Sequence, residues 1–583
     1  MHRKGQHPHS DGAVHRLPDE ILKHVFVECA SMAPIQGDTW SWVMISYVCS
    51  RWRRVALETS DLWRYVDFSH PRWHSITLSR AKTVPLHVNA IVTRENTSQL
   101  CRTLQLAHRI DAIHLTSSAE NIKPILQLIA HPNPAVESLV VDIQPWQGPP
   151  DHDIYRQPLF PTHGPALQRL RYLEMRCAPF YLLTPRCTFV RHLQLHNLPP
   201  TQRPELRHFL HMLGQLTRLE HLTLDHSFPI VRPSDAGAAM ESVGVSIPTL
   251  KTIQLFGSVF EVSTILDSLI VPPTVRLSGT ITTLRNLDTH LGRFAQVVSE
   301  LALAGVAHGA SERVVLTGSG SLPRINEQEI SQLPAPSIPQ TLRIQVFRYG
   351  FNDPSLDLSF SPEEKAFGDA FAVTFLSTLW KGLPLSRVHT LTLRDLDVLT
   401  QKTWSQILPT IPSLRVLDIV GRPPSGLIWA LLMNSRSQAR GDGSVDRFFL
   451  PKLMDIYLDE VDCSAGGFMV VPVPTGHAPS IHSYVDLDDS RFLDILTAAL
   501  RTRRRCGLCL RSLSMSRCEY VYKRSVEEAR VAVSYLVCDL RNIRKDADVD
   551  EVWPARYWGR MALENETGHL KHFYRLRTLL SME

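Results

Sequence analysis

The sequence predicts an α/β protein in which a small all-α N-terminal region is followed by a long repetitive body. Two observations predict this fold. Amphipathic helical segments fill the first seventy residues, and a short apolar pattern typical of strands recurs along most of the remaining chain. Segments with helical start and stop signals lie between these predicted strands. Because strands that alternate with helices form parallel sheets, we expect an irregular solenoid with a curved parallel sheet and flanking helices.

The composition is that of a large globular protein. The 583 residues are 44% hydrophobic and 20% charged, so a sizeable core is expected. The net charge of +5 is too small to indicate a nucleic-acid partner. The polar N-terminus lacks an apolar signal segment and the chain lacks a long apolar run, so we expect no membrane partner. The 10 scattered Cys are typical of reduced thiols, which favours the cytoplasm and/or nucleus.

The N-terminus is predicted to contain a disordered polar tail at 1–14 and a helical domain at 15–66. The first helix starts at Leu17-Pro18, because Pro fits the first turn of a helix. Asp19 suits the positive end of the helix dipole. The apolar residues of this helix recur at helical spacing on one face: Ile21, Leu22, Val25, Phe26 and Cys29.

A second helix is predicted after Asp38 and Thr39, which suit a helix N-cap, and it extends through Ala56. Its apolar residues recur every three or four positions: Val43, Tyr47, Val48, Trp52 and Val55. A short third element at 61–66 closes the domain. A domain of this size has too little interior to bury so many large apolar side chains, so we expect a partner to cover part of its surface.

Three elements of this region, LPDEIL, VCSRWRRVA and LW, resemble the F-box in sequence and order. The F-box is the short helical module that docks cullin-RING ubiquitin ligases through the S-phase kinase-associated adaptor. The resemblance implies that the adaptor is a partner, and that these residues face it: Leu17, Pro18, Ile21, Leu22, Phe26, Val48, Cys49, Trp52, Leu62 and Trp63. The alternative is that they are core residues of a helical domain.

Two further features of the N-terminal region bear on this resemblance. The connection at 30–40 is several residues longer than in a compact F-box. The continuation SHPRWHSITLSRAKTVPLHV resembles the segment after the F-box in a large fungal group of such proteins. There, a short strand and a second strand lead into repeats.

The recurring pattern, which we call the hexad, is an apolar residue, two others, an apolar residue, one other and an apolar residue. Its second half alternates apolar and polar residues, as a strand with one buried face does. The hexads are Ile110–Leu115, Val136–Val141, Leu170–Met175, Val190–Leu195, Leu219–Leu224, Leu250–Leu255, Val388–Leu393, Leu414–Ile419, Leu453–Leu458 and Leu510–Met515.

Helices are predicted between the hexads at 204–213, 262–270, 362–381 and 489–501. The pattern is weakest at 275–386, where we expect strands only at 274–277 and 341–346 and a loop near 317–339. The recurrence of strand, turn and helix over 67–583 resembles a leucine-rich repeat, in which each repeat buries its face by stacking on its neighbours. Uneven hexad spacing indicates a distorted solenoid, and an ordinary α/β sheet domain is the alternative.

The polar positions of the predicted strands are candidates for target binding. If the apolar positions face inward, the flanking residues lie on the concave surface, where such folds usually bind. Aromatic and Arg side chains there are typical of protein interfaces. The candidates are Tyr172, Glu174, Arg176, His192, His196, His221, Asp225, Phe256, Arg394, Tyr457 and Asp459.

Other chemistry is weakly indicated. Cys506 and Cys509 lack a second pair of ligands and fall inside a predicted repeat strand, so no metal site is predicted. The basic run at 501–505 fits either a nuclear import signal or the end of a helix. The sequence contains no Gly-rich phosphate loop, nucleophile elbow or credible carboxylate pair, so we expect neither an enzyme nor a cofactor.

The resemblance implies a substrate-recognition subunit of an SCF-type cullin-RING E3 ubiquitin ligase, whose repeat domain binds a target protein. The first alternative is a repeat scaffold that acts outside ubiquitination, and the long connection at 30–40 keeps it open. The second is an enzyme of unrecognised type that uses Cys506 and Cys509.

Overall fold

The protein is described here by a computed structural model. The residues that it describes are 17–32, 41–66, 68, 71–129, 135–144, 167–178, 187–231, 244–283, 287–304, 311–319, 341–360, 378–383, 385–396, 399, 401–439, 448–463, 468–472, 482–486, 491–539 and 543–544. The chain forms two compact units. Unit 1 is Met1–Leu255 with Asp267–Pro272, and unit 2 is Phe256–Leu266 with Pro273–Glu583. The predicted tail at 1–14 lies outside the described residues.

Unit 1 contains helices and a parallel-rich sheet. Its described α-helices are α1 (Asp19–Met32), α2 (Ser50–Glu58), α3 (Pro71–Arg80), α4 (Thr97–Leu104), α5 (Ala119–Ile129) and α6 (Leu206–Gln215). Its 3₁₀ helices are Ser41–Tyr47, Ser60–Trp63, Ala107–Arg109 and Pro200–Gln202. Its strands are β1 (Tyr65–Val66), β2 (Leu86–Ile91), β3 (Ile110–Ser117), β4 (Ser138–Ile143), β5 (Tyr172–Arg176), β6 (His192–His196), β7 (His221–Asp225), β8 (Val245–Ser246), β9 (Thr252–Ser258) and β10 (Leu269–Ile270). Strand β9 belongs to unit 1 as far as Leu255, and its last three residues belong to unit 2.

The helical N-terminal region differs from the prediction in its second helix. The expected single helix is divided into the 3₁₀ helix Ser41–Tyr47 and α2. Cys49 separates them because its sulfur accepts the N–H of Trp52 at 3.4 Å and caps α2. The short strand expected after this region is instead α3, which starts at Pro71, a residue suited to a helix start.

The sheet of unit 1 is built by the hexads. Strands β1 to β7 pair in parallel, each with the next in sequence. The second apolar position of each hexad lies beside its equivalent, so that Leu139, Leu173, Leu193 and Leu222 form one row. Every apolar position of the hexads in both units is at most 5% exposed. The predicted strands, their parallel pairing and their buried face are therefore confirmed.

The chain enters and leaves strands β5, β6 and β7 in the same way. The first hexad residue donates its N–H to the carbonyl three residues earlier, as Leu170 does to Leu167 at 3.1 Å. The residue after the strand is left-handed, as at Cys177 (φ 52°) and Asn197 (φ 53°). The Asn197 N–H then donates to the carbonyl of Asp225, at the end of the next strand, at 2.7 Å. These contacts repeat one backbone path along the sheet.

Unit 2 also contains a parallel-rich sheet. Its described α-helices are α7 (Val259–Asp267), α8 (Leu287–Ala304), α9 (Gln401–Ile407), α10 (Ser425–Ala439), α11 (Phe492–Arg505) and α12 (Lys523–Ala532), with a 3₁₀ helix at Leu408–Thr410. The last residue of α7, Asp267, belongs to unit 1. Its strands are β11 (Arg276–Thr283), β12 (Ser311–Ser319), β13 (Thr341–Arg348), β14 (Leu356–Phe360), β15 (Thr390–Arg394), β16 (Val416–Val420), β17 (Asp455–Asp459), β18 (Phe468–Pro472), β19 (His482–Asp486), β20 (Leu510–Ser516), β21 (Val521–Tyr522), β22 (Val533–Cys538) and β23 (Ile543–Arg544).

The sheet of unit 2 is interrupted by antiparallel strands where the hexad pattern is weak. Strands β15, β16, β17, β20 and β22 pair in parallel in that order, with the hexads again in register. On the other side of β15, β12 is parallel to it, but β13 pairs antiparallel with both β12 and β14. Strand β11 is parallel to β14. The unit is therefore mixed.

Several predicted boundaries need correction. Helix α6 continues through Gly214 instead of stopping there, because the N–H of Leu216 ends the helix by donating to Leu213. The helix expected at 262–270 is α7 followed by β10, and the one expected at 489–501 is α11, which extends to Arg505. Of the helix expected at 362–381, only 378–381 lie within described helix, which ends at 382. Strand β12 includes 317–319, which were expected in a loop, and 320–340 lie outside the described residues.

The hexad core generates a stability prediction. Leu193→Ala removes a fully buried side chain from the middle of the row in unit 1, which is expected to cost about 2–5 kcal/mol of unfolding free energy. The neighbouring polar position in β6 supplies the control, because Gln194→Ala is expected to cost less than about 0.5 kcal/mol. Urea unfolding of the full chain measures both. Equal costs for the two variants would contradict the assignment of the buried face.

Candidate functional site

The N-terminal helices are joined by ion pairs at the start of α1. Asp19 accepts hydrogen bonds from Nε and Nη2 of Arg51 at 2.9 and 2.6 Å, and from Nη2 of Arg54 at 3.1 Å. Nη2 of Arg51 also donates to the carbonyl of Leu17 at 2.5 Å. The hydrogen bond from Arg51 holds the pKa of Asp19 below its usual value. The start of α1 is therefore fixed against α2.

Four residues expected at the adaptor-facing surface lie in the interior instead. Leu22, Phe26, Leu62 and Trp63 are buried within the chain. They are buried because the helices close over them: the Phe26 ring lies 5.1 Å from the ring of Trp52. These four side chains are buried in the structure of the single chain, and their assignment to the adaptor-facing surface stays a prediction.

Trp63 is held in this interior from two sides. Its Nε1 donates to the carbonyl of Ala56 at 3.2 Å, and the guanidinium of Arg80 on α3 stacks over its ring at 4.5 Å. Trp63 therefore packs the helical region against α3 rather than presenting a surface.

Three other residues of the predicted surface, Pro18, Ile21 and Val48, are exposed. Further exposed apolar residues, which were not predicted to face the adaptor, extend this surface. We call the exposed apolar set the helical patch, defined as Pro18, Ile21, Val25, Met44, Tyr47 and Val48. The first three follow helical spacing on α1, where Ile21 is 46% exposed. Val48 is 62% exposed after the 3₁₀ helix Ser41–Tyr47.

The remaining predicted adaptor-facing residues, Leu17, Cys49 and Trp52, are half-buried beside this patch. Val25 could have been found from the sequence, because it lies four residues after Ile21. Met44 and Tyr47 could not, since the expected α-helix is a 3₁₀ helix with another period.

The helical region continues directly into the sheet of unit 1. Strand β1 pairs with β2, and the N–H of His87 donates to the carbonyl of Arg64 at 2.8 Å. Asp111 contacts Arg64 at 3.2 Å and His87 at 3.0 Å, while the His87 ring meets the Tyr65 ring edge-on at 5.0 Å. Burial raises the pKa of Asp111, but the His87 hydrogen bond and the charges of His87 and Arg64 outweigh it and lower the pKa. The position of the helical patch relative to this sheet is therefore fixed by direct contacts.

The polar side chains of unit 1 form a row of rings at the start of the strands. Tyr172, His192 and His221 lie in register on β5, β6 and β7. The rings of Tyr172 and His192 are 6.1 Å apart, and those of His192 and His221 are stacked at 4.3 Å and 11°. Nδ1 of His221 lies 2.7 Å from the hydroxyl of Thr252 on β9. Four strands therefore share one line of side-chain contacts.

A second polar cluster surrounds Glu174, which is buried among its partners. Oε2 of Glu174 accepts the hydroxyl of Tyr172, and Oε1 accepts Nε of Arg176, both at 2.6 Å. Burial raises the pKa of Glu174, but these two hydrogen bonds and the charges of Arg176 and His196 together outweigh burial and lower the pKa. At the ends of β6 and β7, Nδ1 of His196 lies 3.1 Å from Oδ2 of Asp225. The predicted surface residues of unit 1 thus come together as one network, with Arg176 exposed beside it.

The predicted target-binding residues of unit 2 are more scattered. Phe256 is half-buried in β9, Arg394 is exposed at the end of β15, and Tyr457 is exposed on β17. Asp459 pairs with Arg517, so its carboxylate is already occupied. We find no shared hydrogen-bond network linking these residues within the described parts of unit 2.

The basic run at 501–505 is part of helix α11. Arg503 is buried there and donates to the carbonyls of Phe449 and Leu450, each at 2.7 Å, and burial lowers the pKa of Arg503 to about 10. Cys506 ends this helix and Cys509 is exposed before β20. Within the residues that the structure describes, no group of three or more His, Cys, Asp and Glu side chains is placed to hold a metal ion.

Comparison with known families identifies the helical region. Residues 14–69 match the model of the F-box-like family. Among curated proteins, none matches the chain. The protein thus has an F-box-like domain followed by a large mixed α/β body with parallel-rich sheet. Across its described residues, none of the helices has the length and apolar character that crossing a membrane requires.

The stacked histidines generate a pH prediction. Burial, followed by the charge of neighbouring His192, lowers the pKa of His221. The folded state therefore binds a proton at His221 less readily than the unfolded chain does. In the unfolded chain the pKa of His is about 6.5. The stabilisation from neutral His221 is present above that pH and is lost as the pH falls below it. We expect His221→Gln to reduce the drop in unfolding temperature between pH 7.5 and 5.5, measured by calorimetry.

An exposed histidine of the same unit provides the matched control. His211 lies on α6, with the side chain of Gln215 as its neighbour at 2.9 Å. His211→Gln should leave the pH dependence unchanged. If both substitutions change it equally, the ring stack is not the source.

Proposed function

We propose that the protein is the substrate-recognition subunit of an SCF-type cullin-RING E3 ubiquitin ligase. Its F-box-like domain docks the S-phase kinase-associated adaptor, and its α/β body binds a target protein. The observation that carries this proposal is the exposed helical patch on a domain that matches the F-box-like family. The protein acts as a bridge and not as an enzyme, in the cytoplasm and/or nucleus.

The exposure of the helical patch supports adaptor docking. Large apolar side chains left in water by a folded domain mark an interaction surface. Ile21 and Val25 extend from α1, and Val48 lies beside the start of α2, so a partner can cover both helices at once. Each side chain that becomes fully buried contributes about 1.5–3 kcal/mol.

The repeated backbone path supports a leucine-rich-repeat-like solenoid as the architecture of the body. Hexads in parallel register, with a hydrogen-bonded turn before β5, β6 and β7 and a left-handed residue after each of them, are what a stack of equivalent repeats produces. The antiparallel strands β12, β13 and β14 make this solenoid irregular.

The polar rows of the sheets support target binding. Tyr172 and Arg176 in unit 1, and Arg394 and Tyr457 in unit 2, are residue types enriched at interfaces. The contacts of Asp111 with Arg64 and His87 hold the F-box-like domain on the sheet of unit 1. A target held there is kept at a fixed distance from the ligase's transfer enzyme, which raises the effective concentration of its lysines.

The adaptor interface can be tested with charge substitutions in the helical patch. We expect Ile21→Asp with Val48→Asp to weaken adaptor binding by at least about 100-fold, because charges replace two exposed apolar side chains that the adaptor would bury. Position 21 is in the first turn of α1, where a carboxylate suits the helix dipole, so the domain should stay folded. Isothermal titration of the full chain with purified adaptor measures the change, and circular dichroism checks the fold.

The matched control is Val531→Asp, an equally exposed apolar residue on α12 in unit 2. It should bind the adaptor as the wild type does. Unchanged binding by the double variant would refute the assigned interface. Failure of the folded wild type to bind at all would favour a scaffold that acts outside ubiquitination.

A further inference from the structure

Two cysteines of unit 2 follow neighbouring strands. Cys463 lies four residues after the end of β17, and Cys518 lies two residues after the end of β20. These strands pair in parallel up to their last residues, Asp459 and Ser516. The two thiols therefore leave adjacent strands at the same edge of the sheet.

The backbone holds the two cysteine segments side by side. The N–H of Glu519 donates to the carbonyl of Val461 at 2.9 Å, and the N–H of Cys463 donates to the carbonyl of Glu519 at 3.0 Å. This is a parallel bridge between Asp462 and Glu519. Because side chains alternate along extended chain, the neighbours of the paired residues, including Cys463 and Cys518, point to the same side of the bridge.

The thiols are buried together. Cys463 is 1% exposed and Cys518 is 4% exposed, so both thiols are buried beside the same backbone bridge. The sulfur of Cys518 also lies 3.5 Å from each of the carbonyl oxygens of Leu458 and Ser516. The sulfur of Cys463 lies 3.8 Å from the carbonyl oxygen of Val461. The two sulfurs are thus neighbours in a site that packing has already ordered.

We propose that Cys463 and Cys518 form a dithiol modification site, which hydrogen peroxide converts into a disulfide that joins two neighbouring repeats of unit 2. This proposal does not depend on adaptor docking or on target binding. Peroxide is small enough to reach a buried pair during local opening, whereas a bulky oxidant is not.

The two thiols have different roles in this reaction. The hydrogen bond from Cys463 lowers the pKa of Cys518, whereas the hydrogen bond with Cys518, burial and the charges of Cys518, Asp462 and Asp494 raise the pKa of Cys463. Cys518 is therefore the nucleophile. Its thiolate attacks one peroxide oxygen, the O–O bond breaks, and Cys518 sulfenic acid and hydroxide form. The sulfur of Cys463 then displaces the hydroxyl of the sulfenic acid, and its thiol proton completes a molecule of water.

Peroxide treatment of the native full-length chain tests this site. After treatment, the remaining thiols are alkylated, the chain is unfolded and digested, and the peptides are analysed by mass spectrometry. We expect a peptide that links Cys463 to Cys518 and has lost two hydrogen atoms. The oxidised protein should unfold about 5 °C higher than the reduced protein, because the cross-link restricts the unfolded chain, and dithiothreitol should reverse the shift.

Single variants identify the pair. Cys463→Ala and Cys518→Ala should each abolish the cross-link and the shift, whereas Cys187→Ala, which removes a buried thiol from unit 1, should leave both unchanged. A cross-link from Cys518 to Cys538, at the end of β22, would overturn the assignment. So would a 463–518 cross-link that forms only in urea, or oxidation of Cys518 to sulfinic acid without any cross-link in the wild-type protein.

Discussion

The interaction on which the structure depends is the stacking of apolar hexad positions between parallel strands. A single hexad strand cannot bury its own apolar side chains. Each of these side chains is covered by its neighbours on the two adjacent strands, as Leu193 is by Leu173 and Leu222. This requirement fixes parallel pairing and register, since a shift of one residue would turn the buried face to water. Register in turn aligns the polar positions of successive strands, which is why Tyr172, His192 and His221 meet as a row although they are distant in sequence.

The F-box-like domain depends on the same sheet. Strand β1 belongs to this domain in sequence but pairs with β2 in space, and Asp111 joins residues from both sides of the junction. The helices around Phe26 close on their own core and leave a separate row of apolar side chains in water. One short domain therefore has an interior that holds it to the body and a patch suited to a partner. In the function that we propose, this division holds the docking patch against the sheet of unit 1.

The repeated strands could be predicted because their apolar spacing has one physical meaning, a buried face of period two. The helix positions were predicted less well, since their ends depend on single contacts such as the cap at Cys49. The orientation of α1 could not be predicted, because its apolar residues form one wide face. Pro18, Ile21 and Val25 lie along one edge of this face and Leu22 and Phe26 along the other, and periodicity does not tell which edge faces the domain. The antiparallel interruption in unit 2 was also missed, because β12 and β14 carry no hexad.

The most direct test of this account is hydrogen exchange of the full chain with and without the S-phase kinase-associated adaptor. We expect a one-to-one complex in which the amides of the first two turns of α1 and of residues 43–48 are protected, while those of β7 exchange as in the free protein. The amides around Leu62 and Trp63 should be protected in both states, because that interior is already closed. A complex that protects neither α1 nor 43–48 would contradict the central claim that the exposed helical patch is the docking surface.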